Sequence, residues 1–229
     1  MRKVAIYFKA TLIDPVGMIR RLIQLFLGLA LYGVSLGLMV RANLGLDPWD
    51  VFHQGLSQRS GISLGMMVNL IGAAVLLLWI PIRQRPGIGT IANVFLIGTF
   101  ADISLWLIPP IDHLPLATAM LAGGIFLNGV ATGAYIGAGL GPGPRDGLMT
   151  GLVNRTGGSV RVIRTGIEVA VLAAGWMLGG TVGVGTVLYA IAIGPIVHRM
   201  LPVFAIPTDR NPATVEAIAP TDECCLQPR

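Results

Sequence analysis

Residues 44–56 read LGLDPWDVFHQGL, and residues 140–152 read LGPGPRDGLMTGL. Both motifs have Leu-Gly, Pro, Asp and Gly-Leu at the same spacing, and each residue of the second lies 96 positions after its counterpart (144 − 48 = 96). The offset also matches flanking residues without a gap: Gly28 with Gly124, Gly37 with Gly133, Arg59 with Arg155, Ser63 with Ser159 and Thr90 with Thr186. Self-similarity over this length predicts two copies of one structural unit.

The composition is typical of an integral membrane protein. Hydrophobic residues make up 54% of the chain and charged residues 12%, against about 25% charged residues in a typical soluble domain. The net charge of +5 comes from basic residues scattered singly between apolar runs, which argues against a nucleic-acid partner. We therefore expect the lipid bilayer to be the main surrounding of this chain.

Six apolar runs predict six transmembrane helices, since about 20 residues cross a hydrocarbon layer of about 30 Å. The runs cover residues 22–40, 61–80, 88–107, 116–138, 163–178 and 182–197. The predicted organisation is a cytoplasmic or interfacial N-terminal segment (1–18), a first membrane repeat (19–110), a second membrane repeat (111–206) and a disordered cytoplasmic tail (207–229).

Each motif predicts a short helix that does not cross the bilayer. Asp47 stands at an N-cap, Pro48 at the first helical position and Asp50 at the third, which is a helix-start pattern. We expect this helix to end near Gly55, after about two turns, so that it is too short to cross. Such a helix is either re-entrant or lies at the membrane surface.

Three spans per unit is an odd number, so the second unit is predicted to enter the membrane from the opposite side. The distribution of basic residues favours both termini in the cytoplasm, with only Arg41 and Arg59 on the outer side. The predicted fold is an all-α membrane protein with six transmembrane helices in two inverted three-helix repeats, each with a short broken or re-entrant helix.

Two short helices that enter from opposite faces would direct their positive N-terminal ends at one central region. The candidate substrate-binding residues surround these N-termini: Trp49, Asp50, His53, Arg145, Asp146 and Thr150. For Asp50 and Asp146, helix capping is the alternative to a direct role in binding or proton exchange.

Two acidic residues lie inside apolar spans, where an acid costs about 2.5 to 3.5 kcal/mol. Asp102 and Glu168 are therefore predicted to face the protein interior and to couple protons, with a structural pair as the alternative; His198 is the counterpart of Asp102. The matched Arg59 and Arg155 are expected to anchor the chain at the interface, or to gate the two mouths for anions.

Enzyme signatures are absent from the sequence, which has no phosphate loop, GxSxG, HExxH or CxxC motif. We predict that the protein is not an enzyme and that it has no cofactor. The three histidines are too scattered to predict a metal site. Cys224 and Cys225 are adjacent in the tail, so no disulfide framework is expected.

The two motifs resemble those of the bacterial YczE-type integral membrane proteins, which are related in layout to the YitT-type proteins. The first motif departs from the family pattern at Asn43, where the family has Gly, and the second is similar over residues 139–148. The resemblance covers about residues 20 to 202. It implies a multi-pass protein of the bacterial inner membrane and a transporter, without identifying a substrate.

The expected function is a small-molecule secondary transporter, with proton coupling as a further expectation. Two alternatives stay open: a non-transporting accessory or scaffold protein that supports a partner enzyme, and a channel. A homo-oligomer is also open, because a chain this small exposes glycine-lined faces that could pack on a second copy.

Overall fold

The computed structural model describes residues 15–206. Most of the predicted N-terminal segment and the whole predicted tail, with Cys224 and Cys225, lie outside the described residues. Residues 15–18, which were predicted to precede the membrane region, already belong to the first helix.

The secondary structure of residues 15–206 is helical. Its eight helices are α1 (Pro15–Ala42), α2 (Pro48–Ser60), α3 (Leu64–Ile82), α4 (Ile88–Leu107), α5 (Leu114–Gly137), α6 (Pro144–Thr156), α7 (Val160–Met177) and α8 (Val184–Phe204). Helices α1 to α4 correspond to α5 to α8 under the 96-residue offset. The bounds of α2 and α6 match residue for residue.

Five helices are long and apolar enough to cross a membrane: α1, α3, α4, α5 and α8. Helix α7 occupies the predicted fifth span but contains Arg161, Arg164 and Glu168 within its 18 residues, and these charges separate it from the other five. The structure is therefore that of an all-helical membrane protein with five candidate spans.

Helix α2 does not end near Gly55 as predicted but continues to Ser60. A side chain at Gly55 would lie 2.7 Å from the carbonyl oxygen of Gly175, so this glycine allows two backbones to approach and does not stop the helix. The stop is Gly61, with a left-handed φ of 73°. At 13 residues, or about 20 Å, α2 remains too short to cross.

Helix α8 extends past the predicted end of the sixth span at residue 197 and reaches Phe204. Pro195 and Pro202 both lie inside it, although proline lacks the backbone N–H that a helix interior uses. Gly137 of α5 lies directly against the carbonyl of Phe204. Helix α8 therefore continues beyond both prolines where it packs on α5.

The two units interlock through reciprocal contacts. The Gly89 N–H donates to the Leu140 carbonyl (2.9 Å), and the Gly185 N–H donates to the Leu44 carbonyl (2.8 Å). The four residues exchange places under the 96-residue offset. Each motif is therefore held by the start of a helix from the other unit.

Each short helix packs on a helix of the other unit, α2 on α7 and α6 on α3. The Arg59 guanidinium donates to the carbonyls of Met177 and Leu178, and Arg155 donates to the carbonyl of Pro81, the counterpart of Met177. Both arginines satisfy carbonyls at the end of a partner helix, which otherwise lack hydrogen-bond partners. The roles of both arginines as interfacial anchors or anion gates stay predictions.

The two units differ in one interface. Helix α3 packs along α4, whereas their counterparts α7 and α8 do not pack along each other. Gly65 and Gly98 lie so close that neither has room for a side chain, while Gly194, the counterpart of Gly98, has open space. Helices α7 and α8 thus stand apart where their counterparts in the first unit pack closely, and this separation is called the α7–α8 cleft.

This difference predicts opposite effects of one substitution at matched positions. Gly98→Ala forces a methyl group against Gly65 and Asn69, and such overpacking costs about 1 to 3 kcal/mol. Gly194→Ala meets no atom within 4 Å and improves helix propensity. In thermal unfolding of the purified protein, G98A is expected to melt several degrees lower and G194A no lower than wild type. Equal destabilisation by both would contradict the cleft.

Candidate functional site

The N-termini of α2 and α6 meet in the interior, and they are built differently. Asp47 caps α2 from extended backbone, and its Oδ1 accepts the Asp50 N–H at 2.8 Å. The equivalent position in α6 is Gly143, which has no side chain to cap with. The predicted N-cap is confirmed in the first unit, and the second unit lacks the capping acid.

A charge cluster joins these two helix starts. The Arg145 guanidinium from α6 lies 3.2 Å from Asp50 Oδ1 and 3.7 Å from Asp47 Oδ2. Asp47, Asp50 and His53 are 2%, 0% and 1% exposed, and the Arg145 side chain is 25% exposed. Acids of one unit are thus paired with the base of the other in a nearly closed interior, where ion pairs depend on good geometry.

His53 and Trp49 complete this cluster. The His53 Nδ1 lies 3.0 Å from Asp50 Oδ1 and 3.4 Å from an Arg145 nitrogen, so it either donates to the carboxylate or accepts from the guanidinium. The guanidinium also lies over the Trp49 ring, 5.2 Å from its centroid, which is cation–π geometry. Four of the six candidate residues, Trp49, Asp50, His53 and Arg145, therefore contact one another.

The other two candidates make different contacts. Asp146 accepts a hydrogen bond from the Tyr135 hydroxyl of α5 at 2.8 Å. Thr150 is exposed and donates to the carbonyl of Gly147 in its own helix. Trp79 of α3 fills the space beside Gly147 and donates from Nε1 to the Pro144 carbonyl at 3.1 Å, which positions the start of α6.

A polar chain that the sequence interpretation did not assign to the site crosses α8, α5 and α1. The Tyr189 hydroxyl donates to Asn128 Oδ1 at 2.9 Å, and Asn128 Nδ2 donates to Ser35 Oγ at 3.0 Å. Asn128 and Ser35 are fully buried. The 96-residue offset could have indicated this polar chain. Asn128 is the counterpart of Tyr32, and Tyr189 is the counterpart of Asn93, so polar residues recur at both pairs of positions.

Asp102 and Glu168 have partners other than the charge cluster. Asp102 is half-buried on α4. Its carboxylate accepts hydrogen bonds from the Ser63 hydroxyl (2.6 Å) and the Gly65 N–H (2.8 Å), which hold the start of α3 against α4. Glu168 is 39% exposed and pairs with Arg164 at 3.0 Å. Their role in proton coupling stays a prediction.

Burial sets the protonation of the cluster residues outside the five candidate spans. It raises the pKa of Asp47 to about 7, with the neighbouring Asp50 charge adding to the effect and Arg145 opposing it. Burial also holds the pKa of His53 well below its ordinary value, and the Arg145 charge adds to this. His53 is therefore neutral at neutral pH, whereas Asp47 changes charge there.

The class defined by this architecture is a helical membrane protein with a buried charge cluster between two short helices. The chain matches the family described as "Family of unknown function (DUF6198)" over residues 19–202. It is 38% identical to the uncharacterized membrane protein YczE of Bacillus subtilis over 172 residues, which is 75% of this chain and 80% of that protein. The chain therefore belongs to this YczE-type family, which confirms the resemblance.

Two further relatives cover a similar part of the chain. A Haemophilus influenzae protein, described as uncharacterized, is 38% identical over 181 residues, 79% of this chain and 83% of that protein. The uncharacterized protein YyaS of Bacillus subtilis is 24% identical over 181 residues, 77% of this chain and 90% of that protein. No solved structure matches the chain.

Removal of the single guanidinium leaves Asp47 and Asp50 without their counter-charge. Arg145→Gln is expected to lower the free energy of unfolding by about 3 kcal/mol, the low end for buried pairs because Arg145 is partly exposed. Adding Asp50→Asn to R145Q removes one uncompensated charge and is expected to restore much of the loss. Thermal unfolding of the purified variants tests this, with Arg85→Gln in the exposed α3–α4 loop as the control. A double variant weaker than R145Q would refute the pairing.

The pKa of Asp47 predicts a pH-dependent stability. Because folding raises this pKa from 3.8 to about 7, the stabilising contribution is fully present below pH 3.8 and is lost as the pH rises through about 7. The melting temperature is expected to fall between pH 5 and pH 8. Asp47→Asn keeps a capping side chain and is expected to flatten that slope, whereas Asp112→Asn in the exposed α4–α5 loop is expected to leave it unchanged. An unaltered slope in D47N would exclude Asp47 as its source.

Proposed function

We propose that this protein is a small-molecule secondary transporter of the bacterial inner membrane. In this proposal it is a multi-pass protein with both termini in the cytoplasm, and it works as two inverted repeats around the charge cluster. The observation that carries the proposal is the meeting of two short helix N-termini, one from each unit, at buried Asp47, Asp50 and Arg145. Short helices that converge on charged groups are a common construction of transporter binding sites.

Inverted repeats are supported by the reciprocal contacts. A two-fold axis that relates the units would generate pairs such as Gly89 with Leu140 and Gly185 with Leu44. If α7 also crosses the membrane, each unit has three spans, and that axis lies in the membrane plane. In this orientation Arg161 and Arg164 are near the cytoplasmic end of α7, where basic residues are favoured.

Alternating access is supported by the difference between the matched interfaces. In the proposed orientation, α3 and α4 are closed in the outer half, while α7 and α8 are apart in the inner half. Exchange of the two arrangements between the units would close the inner cleft and open the outer one. The described conformation corresponds to a cytoplasm-open state in this proposal.

The proposal includes the coupling of transport to protons. Asp102 accepts two hydrogen bonds that hold Ser63 and Gly65 of the closed interface. A proton on this carboxylate would weaken its acceptance of both donors and favour the open outer state. Asp47 and Asp50 would exchange protons with the bound substrate, and Glu168 with the cytoplasm through the cleft between α7 and α8.

A block of the inner cleft tests this mechanism without altering the charge cluster. Gly194→Leu has space to fold, but its side chain would keep α7 and α8 from closing. Gly123→Leu, also in open space but on α5, is the matched control. In proteoliposomes with an internal pH dye, wild type and G123L are expected to move protons on addition of amines, amino acids, carboxylates or sugars, and G194L at least tenfold more slowly.

Two results would overturn the transporter proposal in favour of the alternatives. Steady single-channel currents that G194L does not block would favour a channel. Proteoliposomes that move no solute or proton, together with a stoichiometric partner that copurifies with the chain, would favour an accessory protein. A response confined to one class of solute would identify the substrate class.

A further inference from the structure

Two carboxylate oxygens in the charge cluster have no hydrogen-bond partner. Asp47 Oδ2 and Asp50 Oδ2 are both buried and accept nothing from residues 15–206. The second oxygen of each carboxylate is already used, by the Asp50 N–H and by His53 with Arg145. Asp47 Oδ2 has only the longer ion pair with Arg145 at 3.7 Å. Because buried polar atoms are nearly always satisfied by hydrogen bonds, the two oxygens indicate a hydrogen-bond donor from outside the chain.

The charges around these oxygens define the sign of that donor. Four helices contribute ionisable side chains near these oxygens: Asp50 and His53 from α2, Arg145 from α6, Tyr32 from α1 and Tyr189 from α8. With both carboxylates ionised, one guanidinium and a neutral imidazole, the cluster has a net charge of −1. A net charge is costly in the interior, so one proton or one monovalent cation is needed to balance it.

An anionic ligand fits this cluster poorly. The positive start of α2 is already complemented by Asp47, and Arg145 is engaged by both acids and by Trp49. The unpartnered side-chain atoms of the cluster are both acceptors. A ligand that donates hydrogen bonds and bears one positive charge satisfies them, whereas an anion would increase the negative charge.

The number of carboxylate oxygens without a hydrogen-bond partner limits the type of cation. Divalent Ca²⁺ and Mg²⁺ take about six or more oxygen ligands, and two oxygens are too few. No group of three or more His, Cys, Asp or Glu within residues 15–206 could hold a metal ion. A primary ammonium group carries three N–H donors on one charge. Its donors are therefore enough in number for both carboxylates.

The cluster is partly exposed at one of its members. Arg145 is its most exposed member, at 25% of the side chain. Glu168 is half-exposed on α7 and pairs there with Arg164. Arg164 of the same helix is close enough to feel the charges of Asp146 and Tyr189.

We propose that Asp47 and Asp50 form a binding site for a primary ammonium ligand, and that a proton competes with this ligand for the same two carboxylates. The site then holds one positive charge at a time. When the ammonium arrives, the proton leaves Asp47, and the net charge of the cluster does not change. The consequence of this site would be exchange of the organic cation for a proton across the membrane, and that consequence rests on the proposed function.

The pKa of Asp47, raised to about 7 by burial, makes this competition measurable near neutral pH. Purified full-length protein in detergent is titrated with methylammonium chloride, and binding is followed by thermal shift and by proton release in a weakly buffered solution with an indicator dye. We expect release of up to one proton per chain near pH 7. Below the pKa of Asp47, the affinity should fall about tenfold per pH unit.

Controls separate this ligand from other cations and this carboxylate from others. Tetramethylammonium, Na⁺ and K⁺ at the same concentration should give at least tenfold weaker responses, because none of them has N–H donors. Asp47→Asn should abolish proton release, and Asp112→Asn at the exposed loop should not. If D47N fails to fold, the pH dependence of methylammonium binding to the wild type still decides.

Several results would overturn this inference. They are the absence of methylammonium binding, an affinity that does not depend on pH, and equal binding of tetramethylammonium or Na⁺. Solute flux in proteoliposomes without methylammonium binding would refute this site alone. Methylammonium binding with proton release but no flux would refute the transporter proposal and leave the site in place.

Discussion

The structure depends on the neutralisation of buried carboxylates in one unit by a guanidinium from the other. Asp47 and Asp50 are almost completely buried on α2, and Arg145 reaches them from α6, 95 residues away in sequence. In a low-dielectric interior, removal of one charge of such a set leaves the others uncompensated. The position of each short helix therefore depends on the other, because their starts share this charge cluster.

Close backbone approach makes this arrangement possible. Gly45 and Gly141 have left-handed φ angles of 118° and 125°, and they lie against Thr186 and Thr90 of the opposite unit. Few residues other than glycine adopt this conformation, and none with a side chain would fit there. The motif loops can thus turn sharply beside a partner helix, which brings the two charged helix starts within ion-pair distance.

The duplication gives the two units the same fold, and the differences at matched positions give the charge cluster its acids and its base. The counterpart of Trp49 is Arg145, and the counterpart of Asp47 is Gly143. One unit thus contributes the acids and the other the base, so that a nearly symmetric fold encloses an asymmetric site. The same divergence separates the closed α3–α4 interface, held by Asp102, from the open α7–α8 cleft. An exchange between two states requires matched interfaces that differ in this way.

The sequence by itself determined the membrane class, the duplication, the start of α2 at Pro48 and both ends of α4 (88–107), because hydropathy and capping are local properties of the chain. Tertiary structure decided the ends of α2 and α8, since Gly55 and Pro195 break or continue a helix according to what packs on them. It also decided which candidates meet. Asp50 and Arg145 pair only when two distant helix starts converge, a contact between residues far apart in the chain that no local pattern encodes.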